Sequence, residues 1–298
     1  MFNVEIDTQG VATVIFDMPD RSANVWNQSS LTALSEIIDR LTDDDAIKGA
    51  VFTSAKKTFI AGADLDDIER IAVGGQDPAE LTKSCAVLSQ LLRRMEQCKK
   101  PLVAAINGAA LGGGYEFCMA CHYRIAADDR PVLVGLPESK LGLLPGAGGT
   151  QRLPWLIGIK ASLPLLLEGK QLTADKALKA GLVDAVVPST DLVTAGKVWI
   201  QETGGSTQPW DVKGAKLPHG STTDGHIRSM LMVAIAMYQE RTFGNYPAGH
   251  AILSCIYEGL ASPMDVGLGI ETRYFVSLLT GSVAPRMVRT LFLSLQDA

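Results

Sequence analysis

Leu102-Val-Ala-Ala-Ile-Asn107-Gly-Ala-Ala-Leu-Gly-Gly-Gly-Tyr-Glu116-Phe117 is the stretch that decides how this chain is read. Its opening residues barely alternate in polarity, so they form a strand buried on both faces rather than on one. The glycines that follow let a ligand approach bare backbone N–H groups, because no Cβ stands in the way. Glu116 then falls at the start of a helix. Further along, Gly135-Leu-Pro-Glu138-Ser-Lys-Leu-Gly142 frames a second glutamate in a similar setting. Two carboxyl groups facing one water form a minimal acid/base pair.

Outward from this stretch, short β-type runs alternate with helical ones, which predicts an α/β layer architecture. Residues 11–16 and 49–54 read as strands, and the first residues of the chain do too. Leu31, Leu34, Ile37, Ile38 and Leu41 recur at helical spacing after the capping candidates Asn27, Ser29 and Ser30. Leu81, Cys85, Leu88, Leu92 and Met95 repeat the pattern, and Pro101 then opens the next strand. The repeated unit is strand, strand, helix. From Thr173 a capped helix runs to Gly181 as its stop, and residues 183–187 follow as a strand ended by Pro188. Residues 202–225 are rich in Gly, Ser, Thr and Pro and read as a loop, whereas 226–298 read as mostly helical. A boundary therefore falls near 190. The apolar stripe Met230, Ala234, Met237 reads as core or interface.

Composition excludes several classes of function. A chain of 298 residues with 47% hydrophobic and 20% charged residues buries a substantial core. Only 27 Lys and Arg against a net charge of −5 leave no basic stripe for phosphate neutralisation, so nucleic acid is not an expected partner. No apolar run reaches the ~18 residues of a membrane span, and the amino terminus does not read as a signal segment. The expected location is cytoplasmic. Cys85, Cys98, Cys118, Cys121 and Cys255 are an odd, scattered set and read as reduced thiols. The CxxC spacing of Cys118 and Cys121 stands on a helix without a second pair or ligand-spaced histidines, so it reads as packing, and no metal is expected.

Three loops carry the chemical signal: residues 59–64, 112–116, and Pro137-Glu138 leading into Pro145-Gly-Ala-Gly-Gly-Thr-Gln-Arg-Leu153. Each lies where a strand gives way to a turn or helix, the usual ligand-binding edge of an α/β sheet. None matches the dinucleotide GxGxxG or the P-loop pattern. The order and spacing of Ala61-Gly-Ala-Asp64, Asn107-Gly-x-Ala-Leu-Gly-Gly-Gly-x-Glu116 and Pro137-Glu-x-x-Leu-Gly-x-x-Pro-Gly-x-Gly-Gly-Thr-Gln-Arg-Leu153 resemble the enoyl-CoA hydratase (crotonase) family, over about residues 3 to 190.

The resemblance implies a crotonase-like spiral of repeated strand-strand-helix units with a C-terminal helical extension, and an acyl-CoA thioester as substrate. By motif position, the backbone N–H groups of Ala63 and Gly113 correspond to the family's oxyanion hole, and Glu116 and Glu138 to its catalytic carboxylates. Gly146 corresponds to a supporting position beside Glu138. Coenzyme A is expected along Ser22, Ala23 and Asn24 and against Phe59-Ile-Ala61 and Asp64, with Lys56 and Lys57 near its 3′-phosphate. Both glutamates together imply syn hydration of a 2-enoyl-CoA. A shift of a 3-enoyl double bond at the same site is the implied second activity. The rivals are an isomerase that does not hydrate and a non-catalytic docking module.

Gly135-Leu-Pro-Glu138, Pro209-Trp-Asp211 and the tail from Glu271-Thr-Arg-Tyr-Phe275 to 289–293 are similar to the amino-terminal part of multifunctional fatty-acid oxidation enzymes. That likeness implies residues 1–190 as the catalytic core and 191–298 as an extension toward an absent NAD-binding dehydrogenase domain, the chain being a fragment of a longer enzyme. It implies no cofactor in this chain itself, and a thiolase chain or further copies of the same chain as partner.

Overall fold

The computed structural model describes residues 1–75, 77–203 and 206–293. In chain order its elements are β1 (Phe2–Ile6), β2 (Val11–Phe16), α1 (Gln28–Asp43), β3 (Gly49–Ser54), α2 (Leu65–Val73), α3 (Pro78–Glu96), β4 (Leu102–Ile106), β5 (Ala110–Leu111), α4 (Gly113–Ala120), β6 (Tyr123–Ala127) and β7 (Leu133–Gly135). After a 3-10 turn at Pro137–Leu141 come α5 (Gly149–Ile157), α6 (Ile159–Leu167), β8 (Gln171–Thr173), α7 (Ala174–Ala180), β9 (Ala185–Val187) and α8 (Leu192–Glu202). The remainder is helical: α9 (Gly225–Thr242), α10 (Pro247–Gly259), α11 (Met264–Leu279) and α12 (Val283–Val288), ending in a π-type turn at Arg289–Leu293.

These elements form two compact units. The first comprises Met1–Ala63, Gln90–Gly135 and Gln171–Val212, and the second Asp64–Ser89, Leu136–Lys170 and Lys213–Ala298. Each unit draws on residues from both sides of position 190.

In the first unit a six-stranded sheet runs β1-β2-β3-β4-β6-β9, antiparallel only between β1 and β2. A smaller sheet pairs β5 with β7 in parallel and β7 with β8 antiparallel. All five residues of β4 are fully buried, as expected for a central strand covered on both faces. Helix α8 packs on β2, β3, β4 and β6, and Gly196 lets it approach Val51 and Val103. Phe2, Phe16, Trp26, Phe117, Phe52 and Phe59 form a chain of ring contacts with centroids 4.4 to 6.2 Å apart, tying β1 to α4 through the core.

In the second unit α10 packs against α11, α5, α6 and α9, while α12 packs against α2 and the 3-10 turn. The helical reading of 226–298 holds through residue 293, and its last residues, 294–298, lie outside the described residues, as do 204 and 205 of the expected loop. Among its described residues that loop contains one short 3-10 turn, Pro209–Asp211. On α9 the expected stripe of Met230, Ala234 and Met237 is not where the helix is buried. Ile227 and Leu231 are its buried residues, and Met237 is exposed. No helix among the described residues is long and apolar enough to cross a membrane.

Candidate active site

Helix α4 is buried along its whole length, and Glu116 stands in its first turn with only 2% of its surface exposed. Its N–H donates to Gly112 O at 2.9 Å, so the turn closes on a glycine at φ 54°, a conformation disfavoured for residues with a Cβ. Gly114 is required for a different reason: a Cβ there would sit 2.2 Å from Ile60 O. The helix thus lies directly on the backbone of residues 59–62.

Around this helix start the loops of the first unit converge. Ile60 bridges Ala110, and Trp26 bridges Ala63. The Gly62 carbonyl accepts from Trp26 N–H at 2.8 Å, and a Cβ on Gly62 would lie 3.1 Å from Leu111 O and 3.9 Å from Gly113 N. Residues 62–63 and 111–113 are therefore neighbours. Among the described residues, no backbone hydrogen bond runs from the N–H of Ala63 or of Gly113. The Gly113 amide is one of the donors that the first turn of any helix leaves over, where the helix dipole is positive. Ala63 is exposed and Gly113 buried.

The residues expected along coenzyme A divide by environment. Ser22, Lys57 and Ala61 are exposed and Ala23 half-buried. Lys56 is held by Asp17 at 2.7 Å. Asn24 is fully buried, and its side chain is committed within the protein: Oδ1 accepts from Met18 N–H, while Nδ2 donates to Phe16 O, Ser54 Oγ and Phe59 O at 2.9 to 3.2 Å. Its carbonyl takes the Ala61 N–H at 2.9 Å. Asn24 joins the ends of β2 and β3 to the loop at 59–61.

Asp64, Glu138 and Gly146 belong to the second unit. Asp64 is the N-cap of α2 and accepts from Asp66 N–H at 3.2 Å. Glu138 is half-buried in the 3-10 turn, with its Oε2 enclosed by protein, and its carbonyl accepts from Leu143 N–H at 3.0 Å. Gly146 lies against α11, where a Cβ would stand 2.7 Å from the Phe275 ring.

Sequence reasoning did not single out several residues that shape these loops. Trp26 donates its indole N–H to Gly113 O, Arg152 is fully buried beside the turn before α5, and Glu271 accepts from that same turn. In the sequence Glu271 figures only as the first residue of the tail stretch that carries the resemblance, and its i,i+4 spacing to Phe275 puts both on one face of a helix. Cys118 and Cys121 are fully buried, their thiols pushed well up by burial, and Cys118 Sγ donates to Gly114 O at 3.2 Å inside α4.

The fatty acid oxidation complex subunit alpha of Idiomarina loihiensis is 41% identical over 93% of this chain and 39% of its own length. That of Shewanella putrefaciens is 36% identical over 98% of the chain and 40% of the relative. The chain thus spans about two fifths of the length of these curated relatives. Among solved structures, an enoyl-CoA hydratase from Bacillus halodurans superposes with a TM-score of 0.70 at 23% identity, covering 97% of this chain and 98% of that one, which shows the crotonase fold. An enoyl-CoA hydratase from Bacillus anthracis matches with a TM-score of 0.61 at 26% identity over 94% and 92%. The family model for enoyl-CoA hydratase/isomerase matches residues 7–208, and this chain belongs to that family.

Proposed function

We propose that this chain adds water across the double bond of 2-enoyl-CoA thioesters, giving 3-hydroxyacyl-CoA, as a step of fatty-acid β-oxidation. The observation that carries the reading is a buried carboxylate, Glu116, at the start of a helix whose first amide, Gly113, neighbours residues 62–63 of a second loop. Addition to a conjugated thioester builds negative charge on the carbonyl oxygen. The amides of Ala63 and Gly113 are the donors that would stabilise it, assisted by the α4 dipole, and losing one such donor typically raises a barrier by about 3 kcal/mol. Glu116 would orient and deprotonate the attacking water, and Glu138 would deliver the proton to C2 from the same face. The reaction needs no cofactor beyond the coenzyme A carried by the substrate.

Support for the coenzyme path is the exposure of Ser22, Lys57 and Ala61. Lys57 would meet a phosphate as a point charge. The family description also covers isomerases, so a double-bond shift from 3-enoyl to 2-enoyl thioesters is assigned to the same carboxylates. Met232, Val233, Ile235 and Met237 leave α9 with a large exposed apolar surface, which supports a partner chain, a thiolase or a further copy, readable as the mass in solution. The location consistent with this reading is the cytoplasm.

The test is loss of enoyl-thioester absorbance under steady-state conditions, with a 3-enoyl thioester assayed in parallel. Glu116→Gln and Glu138→Gln should each lower kcat for hydration by at least about a hundredfold. Near-wild-type turnover by Glu138→Gln would remove Glu138 from the mechanism, and activity on 3-enoyl substrate alone would make the chain an isomerase.

A further inference from the structure

The turn that follows Glu138 is bedded on the carboxyl-terminal helices, all within the second unit. At its start, Leu143 N–H donates to Glu138 O and Gly142 N–H to Ser139 O, at 3.0 and 3.1 Å. Gly142 lies so close to α12 that a Cβ would meet Met287 Sδ at 2.9 Å and Ala284 Cα at 3.1 Å. Gly146 lies against the Phe275 ring, and Gly148 against Leu268. The turn closes on a fully buried carboxylate, Glu271, which accepts from Gly148 N–H, from Thr150 N–H at 2.8 Å and from Thr150 Oγ1.

A carboxylate is costly to bury unless its oxygens are hydrogen-bonded, and here the donors come from the first residues of α5 and the glycine before them. Charge-assisted bonds of this kind are short and strong, and the positive end of the α5 dipole adds to them. Glu271 and Phe275, four residues apart on α11, present one surface to the turn. A helix whose only task was to cover a core would need apolar contacts alone. This one spends a buried charged group on two particular amides.

We propose that Glu271 is a positioning residue for Glu138: by locking Gly148 and Thr150 onto α11 it fixes the far end of the turn that follows Glu138, and so the direction of the Glu138 carboxyl. The inference rests on the reading of Glu138 as a hydration carboxylate. The carboxyl-terminal helices are on this account part of the catalytic apparatus.

A double-mutant cycle on the full chain tests it. Glu271→Gln keeps the shape but exchanges one acceptor oxygen for an NH2 that cannot take the amide protons of the turn. It should lower kcat for hydration at least about tenfold, since a displacement of about 1 Å in a reacting group can cost a hundredfold, with KM within about twofold. In a Glu138→Gln background the same change should cost less than about threefold, because the group it aims is already gone. A merely structural role predicts the opposite, an equal loss in both backgrounds, and that result overturns the proposal, as does wild-type kcat in Glu271→Gln. Phe275→Leu, which reshapes the same bed without touching the carboxylate, runs through an identical cycle should Glu271→Gln not fold. Failure of both variants to yield folded protein would assign the contact to folding and also overturn it. If Glu138→Gln alone retains full turnover, the reading of Glu138 as a hydration carboxylate has failed instead, and the single variant reveals that.

Discussion

Trp26 donates its indole N–H to the carbonyl of Gly113 at 3.0 Å, pinning the loop at residues 22–26 to the first residue of α4. The same tryptophan stands in the ring chain between Phe16 and Phe117, with centroids 5.5 and 5.7 Å away, so packing holds the indole while its N–H bonds to Gly113. Trp26→Phe keeps most of the packing and removes that bond. A single buried hydrogen bond contributes about 1 kcal/mol, so stability to denaturant should fall by roughly that amount. If the Gly113 amide serves the oxyanion, kcat should fall as well, by about threefold to tenfold. Unchanged kcat with lowered stability would separate the bond from catalysis.

Asn24→Ala deletes the side chain that serves four partners at once, Met18 N–H, Phe16 O, Ser54 Oγ and Phe59 O. Leaving buried donors and acceptors unmatched costs about 1–3 kcal/mol each, so a loss of about 3 kcal/mol or more is expected in urea titration. A loss below about 1 kcal/mol would mean that water enters and repairs the network.

Gly146→Ala places a methyl group against the Phe275 ring, 2.7 Å from its nearest atom. Overpacking of this kind costs about 1–3 kcal/mol, and the turn following Glu138 should shift to relieve it. Hydration should slow, and Gly146→Ala/Phe275→Leu should recover part of the loss. Absence of any recovery would argue that the ring is not what limits residue 146.

Arg93 makes two 2.6 Å bonds to the Asp211 carboxylate and one of 2.9 Å to Glu96, whose side chain is wholly buried. Trp210 Nε1 joins the same Glu96 oxygen at 3.3 Å. Arg93→Met withdraws the cation from a buried acid, and about 3 kcal/mol of stability should go with it. Lys83→Ala, which breaks an exposed pair with Glu80, should change stability by less than about 1 kcal/mol. Equal effects of the two substitutions would contradict the role given to burial.

Burial pushes the His122 imidazole from its ordinary value of 6.5 down to about 4, against smaller opposing pulls from backbone groups. The unfolded chain therefore binds the proton first as pH falls. Stability carried by the neutral ring is complete above about pH 6.5 and declines between that pH and about 4. Leu102 N–H donates to His122 Nδ1 at 3.1 Å, and His122→Asn can offer an oxygen in that place. The variant should lose less thermal stability than wild type between pH 7 and pH 5. Parallel losses would assign the acid sensitivity to other groups.

Local pattern alone was enough for much of the scaffold. The mostly apolar runs at 11–16 and 49–54, which barely alternate, became β2 and β3 with those bounds, because a central strand is buried on both faces. Asn27 caps α1, with Ser30 bonding back to it, and Gly181 ends α7 at φ 78°. Such signals lie within a few residues of the structure they specify. The glycines of residues 112–114 were legible for the same reason, since a turn with positive φ followed by a close helix admits few alternatives.

Tertiary structure decided what those residues meet. Asn24 reads as a loop residue on the coenzyme path, with nothing local to foretell its bond to Phe59, and nothing local to Gly146 announces that a ring from Phe275 will occupy its Cβ position. Glu271 lies on a mostly apolar helix, and only folding brings it to the amides of Gly148 and Thr150. Sequence periodicity reports which face of an element is apolar. The partner that face receives is settled by packing and by the need of every buried polar group for a bond, and both act between residues far apart along the chain.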